Sequence, residues 1–294
     1  CDNKIYFFGN TWNPDTDGDL YIYSISYNGD SLNSRIFEIN APQHLWAMLD
    51  KKDHVGFNFY CSGYFPSKNF PKTRAPSKLL TVDSLFNIIS IVEVPGELYW
   101  QNSAKWYNEN EYLLTGRYNT GDDFLMGILK LDTADNILAS NYFGPRPDTI
   151  NLPAPNHNVD FISQDDIFFA GTINVNALQF PYQEDPSWIM LARLDSNLNV
   201  KWERYYGGDA FYCVYDIKAT SDGGCIMACI RYDHTIQDYE WDVYILKVDS
   251  DGLVTSVDDQ NHIPISEAIL YPNPGNDALN IRTGIPDARI EMFD

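Results

Sequence analysis

The sequence predicts an all-β chain: a β-propeller of four-stranded antiparallel blades. Three observations carry this. First, five short apolar runs each end at a small residue: KIYFFG at Gly9, FNFYCSG at Gly63, EYLLTG at Gly116, DIFFAG at Gly171 and CIMAC at Cys229. By subtraction these ends lie 54, 53, 55 and 58 residues apart, a period that suits propeller blades built from several short strands. Second, aromatic residues make up 15% of the 294 residues, a bias that suits pleated, half-buried surfaces. Third, Asp-Gly and Gly-Gly pairs separate apolar runs, and such pairs supply the positive φ values of tight hairpins.

The last unit shows the plan most fully. FYCVYDIKA (211–219) is a first strand, TSDGG a turn, CIMACIRY (225–232) a second strand, DHTIQDYEW a polar loop and DVYILKVD (242–249) a third. SDG then turns the chain into LVTSVD, which reads as a fourth strand. Earlier third strands are FLMGILKLD ending at Asp132, WIMLARLD at Asp195 and SKLLTVD at Asp83, each followed by a turn and a further strand such as ILASNYFG or VKWERYYGG. Lys247, Lys130 and Arg193 each stand two residues before the closing Asp. The first unit departs from this, with Ser26 where the Asp would fall and no opening strand. Five units are visible, and six to eight blades fit the pattern. Two stretches, Leu45 to Lys52 and Asp287 to Phe293, could pass for helix but are short enough for strands or turns.

TSDGGCIMAC through YILKVDSDG, with WERYYGG before it, resembles the repeat of a group of secreted bacterial propellers. Its units run from an Asp-Gly-Gly turn through a strand ending in Gly to Lys-x-Asp and a Tyr-Gly-Gly exit. The resemblance covers residues 4 to 256 and implies a fold rather than an activity, because propellers bind, scaffold and catalyse alike. Behind the polar stretch DDQNHIP, the tail carries Tyr271, Pro272, Asn273 and Pro274, a Gly-Asn turn, the strand ALNIR and then ARIEMFD. This resembles the opening of the C-terminal sorting domain that directs cargo through the type IX secretion system. The resemblance implies that the tail is the start of a small β-sandwich sorting domain, with the secretion machinery as a partner and an extracellular or cell-surface address in a Gram-negative bacterium. The expected organisation is thus a propeller over 1–258, incomplete at its N-terminus, a linker over 259–265 and a partial sorting domain over 266–294. The chain reads as a segment of a longer product, with a lipoprotein beginning at Cys1 as the rival reading.

Lys plus Arg total 20 against 41 Asp plus Glu, a formal charge of −21. Such a surface repels phosphate backbones and anionic headgroups, so nucleic acid is not an expected partner. No apolar run is long enough for a transmembrane helix. The five cysteines, Cys1, Cys61, Cys213, Cys225 and Cys229, form no CxxC or zinc pattern. Cys225 and Cys229 lie four apart on one strand, at roughly 3.3 Å per residue too far for a bridge. Cys213 could reach Cys229 if the hairpin register allows, while core thiols are the plainer reading.

Functional signals are sparser. Asp15, Asp17 and Asp19 alternate around a Gly in PDTDGD, a spacing that calcium loops use. No bidentate Glu follows at the distance an EF-hand needs, and Asp19 aligns with Asp242, so a polar inter-strand loop is the competing reading and calcium the one cofactor the sequence suggests. Motifs GxSxG and HExxH and phosphate-cradling Gly loops are missing, and His44, His54, His157, His234 and His262 are scattered. Trp12, Trp188 and Trp241 flank loops between second and third strands, whereas Trp46, Trp100 and Trp106 lie near first strands. Flat rings on exposed loops stack on sugar faces, which makes Trp12, Trp46, Trp106, Trp188 and Trp241 candidate contacts for a glycan or protein ligand. Packing between blades is the structural use of the same rings. The expected function is a non-catalytic binding or adhesion module. The alternatives are a propeller glycoside hydrolase with carboxylates in its central channel and a structural surface component.

Overall fold

In a computed structural model of the chain, placement is described for residues 4–10, 20–37, 44–50, 56–62, 77–94, 96, 98–119, 124–144, 150–176, 180, 182–236, 240–255, 269–270 and 281–282. The chain divides into two compact units, Cys1–Val254 and Thr255–Asp294. The described residues are all β, without helix, and those of the first unit form five successive sheets.

The first sheet has three strands, β1 (Lys4–Asn10), β2 (Leu20–Ser26) and β3 (Ser31–Phe37). The second has four, β4 (His44–Asp50), β5 (Gly56–Ser62), β6 (Lys78–Asp83) and β7 (Ile88–Glu93), so the ambiguous Leu45 stretch is a strand. The third runs β8 (Leu98–Trp106), β9 (Glu111–Asn119), β10 (Phe124–Asp132) and β11 (Ile137–Phe143). The fourth comprises β12 (Leu152–Pro153), β13 (Val159–Ser163), β14 (Asp166–Ile173), β15 (Trp188–Leu194) and β16 (Val200–Gly207), with β12 and β13 both paired to β14. The fifth is β17 (Phe211–Ala219), β18 (Cys225–Tyr232) and β19 (Asp242–Val248). Every pair within these sheets is antiparallel. Of the fourth strand expected in LVTSVD, the described part makes a single bridge, Val248 to Val254. In the second unit, β20 (Ile269–Leu270) pairs antiparallel with β21 (Ile281–Arg282).

Each sheet packs face to face on the next, which is the blade-on-blade arrangement of a propeller-like fold. Alternating side chains of one strand enter different cores. Phe169 and Ile167 join Met126, Ile128 and Leu113 between the third and fourth sheets. Phe168 and Ala170, one residue out of step, join Tyr212, Val214 and Met227 between the fourth and fifth. The same division separates Phe59 and Cys61, packed with Leu20 and Ile22, from Tyr60, packed with Leu114 and Leu129. The four described cysteines are free, buried thiols. Cys225 and Cys229 share the core between the fourth and fifth sheets, whereas Cys213 belongs to a separate cluster with Phe211 and Tyr232.

The repeat signature has a structural explanation. The Asp that ends each third strand closes a tight turn through its own side chain. Asp195 accepts from the backbone N–H groups of Asn197 and Asn199 and from the Asn199 amide, and Asp132 and Asp83 repeat the pattern. Ser26 does the same work in the first unit, its Oγ accepting from the N–H groups of Asn28 and Asp30. The residue three beyond the Asp or Ser adopts a left-handed φ in all five sheets: Gly29, Phe86, Asp135, Leu198 and Gly252. A side chain there costs about 1–2 kcal/mol, and at Phe86 and Leu198 the side chain is buried in an inter-sheet core, which offsets that cost. The cation two residues before the Asp reaches across to the next sheet. Lys130 donates to the Ser196 carbonyl at 2.7 Å, and Arg193 donates to the Ser250 carbonyl at 2.6 Å. Both acceptors sit one residue past the neighbouring turn's Asp, so Lys/Arg-x-Asp is a staple between sheets.

Candidate ligand-binding surface

Two groups of side chains near strand ends carry polar or aromatic chemistry. The first lies where the opening strands of the third, fourth and fifth sheets meet. Asp160 on β13 is almost fully buried and bridges Lys105 of β8 and Lys218 of β17, the latter at 2.9 Å. It also accepts the Ala219 N–H at 2.9 Å. Burial opposes its charge, but the two lysines and the N–H outweigh burial and hold the carboxyl below its ordinary range. Nearby, His157 Nδ1 lies 2.9 Å from Asp216 Oδ2, where the segment before β13 bridges β17 in parallel. Asn158 accepts from Thr115 Oγ1 at 2.6 Å and donates to the Ala154 carbonyl. On β8 the register shifts between Tyr99 and Ser103. Trp100 takes a left-handed φ of 49° there, with the Arg117 guanidinium 3.9 Å from its ring centroid. The buried amide oxygens of Gln101 and Asn102 have no hydrogen-bond partner.

The second group is aromatic. The segment before β15 carries Tyr182, whose ring centroid lies 5.3 Å from that of Trp241, just before β19. Tyr232, at the end of β18, meets Tyr182 edge-on, also at 5.3 Å. Tyr182 and Trp241 keep 42% and 41% of their surface exposed, so this ring pair faces solvent beside the loops between second and third strands. Either side of Tyr232 the chain places charge: Arg231 pairs with Asp209 and Asp233, both at 3.1 Å. Tyr212 and Arg231 hold Asp209 below the usual carboxylate range, and Thr235 does the same for Asp233. Both are therefore hydrogen-bond acceptors at neutral pH.

The tryptophans named from the sequence fall into different settings. Trp241 is the exposed member just described. Trp106 meets Tyr112 edge-on at 5.7 Å beside the core of the second and third sheets. Trp188 packs beside the core of the third and fourth sheets, its indole nitrogen against Gly208. Trp46 lies on β4, with its side chain outside the described residues. Trp12, Asp15, Asp17, Asp19, Tyr271, Pro272, Asn273 and Pro274 also lie outside them. Sequence reasoning missed Tyr182, whose loop has no repeat signature, and the Lys105, Asp160 and Lys218 group, whose members are far apart in the chain. Among the described residues no cluster of three or more His, Cys, Asp or Glu could hold a metal ion, and no helix is long and apolar enough to cross a membrane.

No protein-family model and no curated protein matches the chain. Solved structures do resemble it at low identity. A Bacteroides caccae protein described as of unknown function is 14% identical, with a TM-score of 0.45 over 82% of this chain and 77% of that one. A Synechocystis apocarotenoid oxygenase variant is 10% identical, with a TM-score of 0.46 over 84% of this chain and 56% of its own. A structure described as the eukaryotic initiation factor is 15% identical, with a TM-score of 0.33 over 68% of this chain and 43% of its own. The chain thus spans about half the length of the last two.

Proposed function

We propose that the chain is a non-catalytic binding module that takes a carbohydrate on the Tyr182–Trp241 ring pair. The observation that carries the reading is the exposure of two large rings, 5.3 Å apart, beside fixed carboxylate acceptors. Aromatic faces stack on the C–H faces of sugar rings, and carboxylates accept from their hydroxyls. The described carboxylates on opening strands favour binding over hydrolysis. Asp160 is tied to two lysines and held low, whereas a glycosidase needs one carboxyl raised to serve as an acid. The YPNP sequence at 271–274 supports export through the type IX machinery and display at the surface of a Gram-negative cell.

A glycan array probed with the full chain tests the binding reading, followed by calorimetry on the best ligand with Trp241→Ala and Tyr182→Ala. Each ring is expected to contribute about 0.5–1.5 kcal/mol, up to about tenfold in Kd. An array without binding, or unchanged affinity in both variants, overturns it.

A further inference from the structure

We propose that the sugar taken by the Tyr182–Trp241 ring pair is a cationic one, an amino sugar whose amine is free and protonated. The inference rests on the carbohydrate reading and names the class of ligand. It starts from how the rings are held. The connection from β14 to β15 is pinned from inside by Gln183, which is 1% exposed. The Gln183 amide oxygen accepts from the Asn176 N–H, and its amide nitrogen donates to the carbonyls of Asn174 and Asp185 at 2.8 and 2.7 Å. Phe180, in the same connection, sets its ring edge-on to the buried Phe211, 6.0 Å away. Tyr182 is thus carried between two anchored residues, and its ring rests against the buried Tyr232 as well as beside Trp241. With centroids 5.3 Å apart, Tyr182 and Trp241 leave no room for a sugar between them, so their outward faces carry it.

The charges around these rings are one-sided. Glu184 and Asp185 follow Tyr182 in the chain, Glu240 and Asp242 flank Trp241, and all four are exposed. Asp233 follows Tyr232, and Arg231 ties it to Asp209. Among the described residues of these segments, six carboxylates therefore stand against Arg231 and, when it is protonated, His234. The Arg231 guanidinium is already shared between two of the six and the Tyr212 hydroxyl.

This surface discriminates among sugars by charge. An acidic sugar is repelled, and a neutral one gains only hydrogen bonds from its hydroxyls. A protonated amine gains twice over. Its N–H groups donate to carboxylates in charge-assisted hydrogen bonds, and the faces of Trp and Tyr attract a cation held over them. The sugar ring supplies the C–H faces that stack on the same aromatic surface. An amino sugar joins both requirements in one ligand, whereas acetylation of its nitrogen keeps the ring and removes the charge.

Calorimetry of the full chain with a glucosamine oligomer and with its fully N-acetylated counterpart of equal length tests the proposal, at slightly acid pH where the free amines are protonated. The free-amine oligomer is expected to bind about tenfold more tightly at about 0.1 M salt and to lose most of that advantage at about 1 M, where charges are screened within about 3 Å. Glu184→Gln combined with Glu240→Gln is expected to weaken the free-amine oligomer about threefold more than the acetylated one. An acetylated oligomer that binds as tightly as the free amine, an advantage that salt does not reduce, or equal losses of both oligomers in the double variant overturns the proposal and leaves the carbohydrate reading in place. A lysine oligomer of matching charge that binds as tightly as the amino sugar also overturns it, because the surface then reads charge without a sugar ring. If neither oligomer binds while another glycan does, this inference alone falls; if no glycan binds at all, the carbohydrate reading falls with it.

Discussion

Replacing Asp160 by Asn removes the charge that ties three sheets together while keeping the side chain's shape. In the wild type the carboxylate pairs with Lys105 and Lys218 and accepts the Ala219 N–H. Hydrogen bonds to charged groups contribute about 1.5–3 kcal/mol each where both partners are desolvated. Here the Asp160 side chain is buried, but Lys105 and Lys218 reach solvent and recover hydration when released. Asn also retains one oxygen for the Ala219 N–H. The expected loss is therefore about 2 kcal/mol, or about 4–8 °C in Tm at the size of the first unit. The sign with pH follows from the depressed carboxyl. Its contribution is complete above the unfolded value of about 4 and disappears as pH falls through the lower folded value. Urea unfolding of wild type and Asp160→Asn between neutral and acid pH measures this, with Lys105→Met and the double variant completing a cycle. Equal stability of the two chains at neutral pH, or a gap that stays constant into strong acid, refutes the reasoning.

Three further outcomes follow from the packing. Gly171→Ala places a Cβ 2.4 Å from the Leu152 carbonyl oxygen, which is backbone and cannot swing aside, so a loss of about 2–3 kcal/mol is expected by urea unfolding. Burial pushes the thiols of Cys61, Cys225 and Cys229 up to about 12 and that of Cys213 up to about 11, so these four should resist Ellman's reagent in the folded chain and react once it is unfolded. Asp132→Ser should keep more stability than Asp132→Ala, because Ser26 already shows a hydroxyl closing the same turn; equal losses in thermal unfolding would contradict this.

How much was legible from sequence depended on whether a feature repeats. Gly9, Gly116 and Gly171 mark second strands because each lies opposite a third strand in the same register, and the closing Asp residues mark turns that every sheet needs. The strand β12 was not legible, since Leu152 and Pro153 form a two-residue pairing with no periodicity to detect. Nor was the bulge at Trp100 to Asn102, where a left-handed φ falls on a residue that gives no such signal. The tryptophans illustrate the limit for sites. Trp188 and Trp241 occupy comparable places in the sequence pattern, at the start of third strands, yet what covers each ring is decided by residues from elsewhere, the core of the third and fourth sheets beside Trp188 and Tyr182 beside Trp241. The Asp160 contacts were hidden for the same reason, because an ion pair between opening strands of different sheets leaves no local trace.

Neighbouring residues of one strand, such as Phe168 and Phe169, serve different hydrophobic interiors. Each sheet is thus a shared wall, and removing one would wet the rooms on both sides. Melting of the third sheet on its own is accordingly disfavoured, and loss of order should begin in the first and fifth sheets, where apolar side chains such as Phe7 and Val243 are exposed. Amide exchange would register this as slow, collective opening of β9, β10 and β14 behind faster opening of β1 and β19. An inserted residue in β14 would be felt doubly, because the slip would send every side chain beyond it into the wrong room.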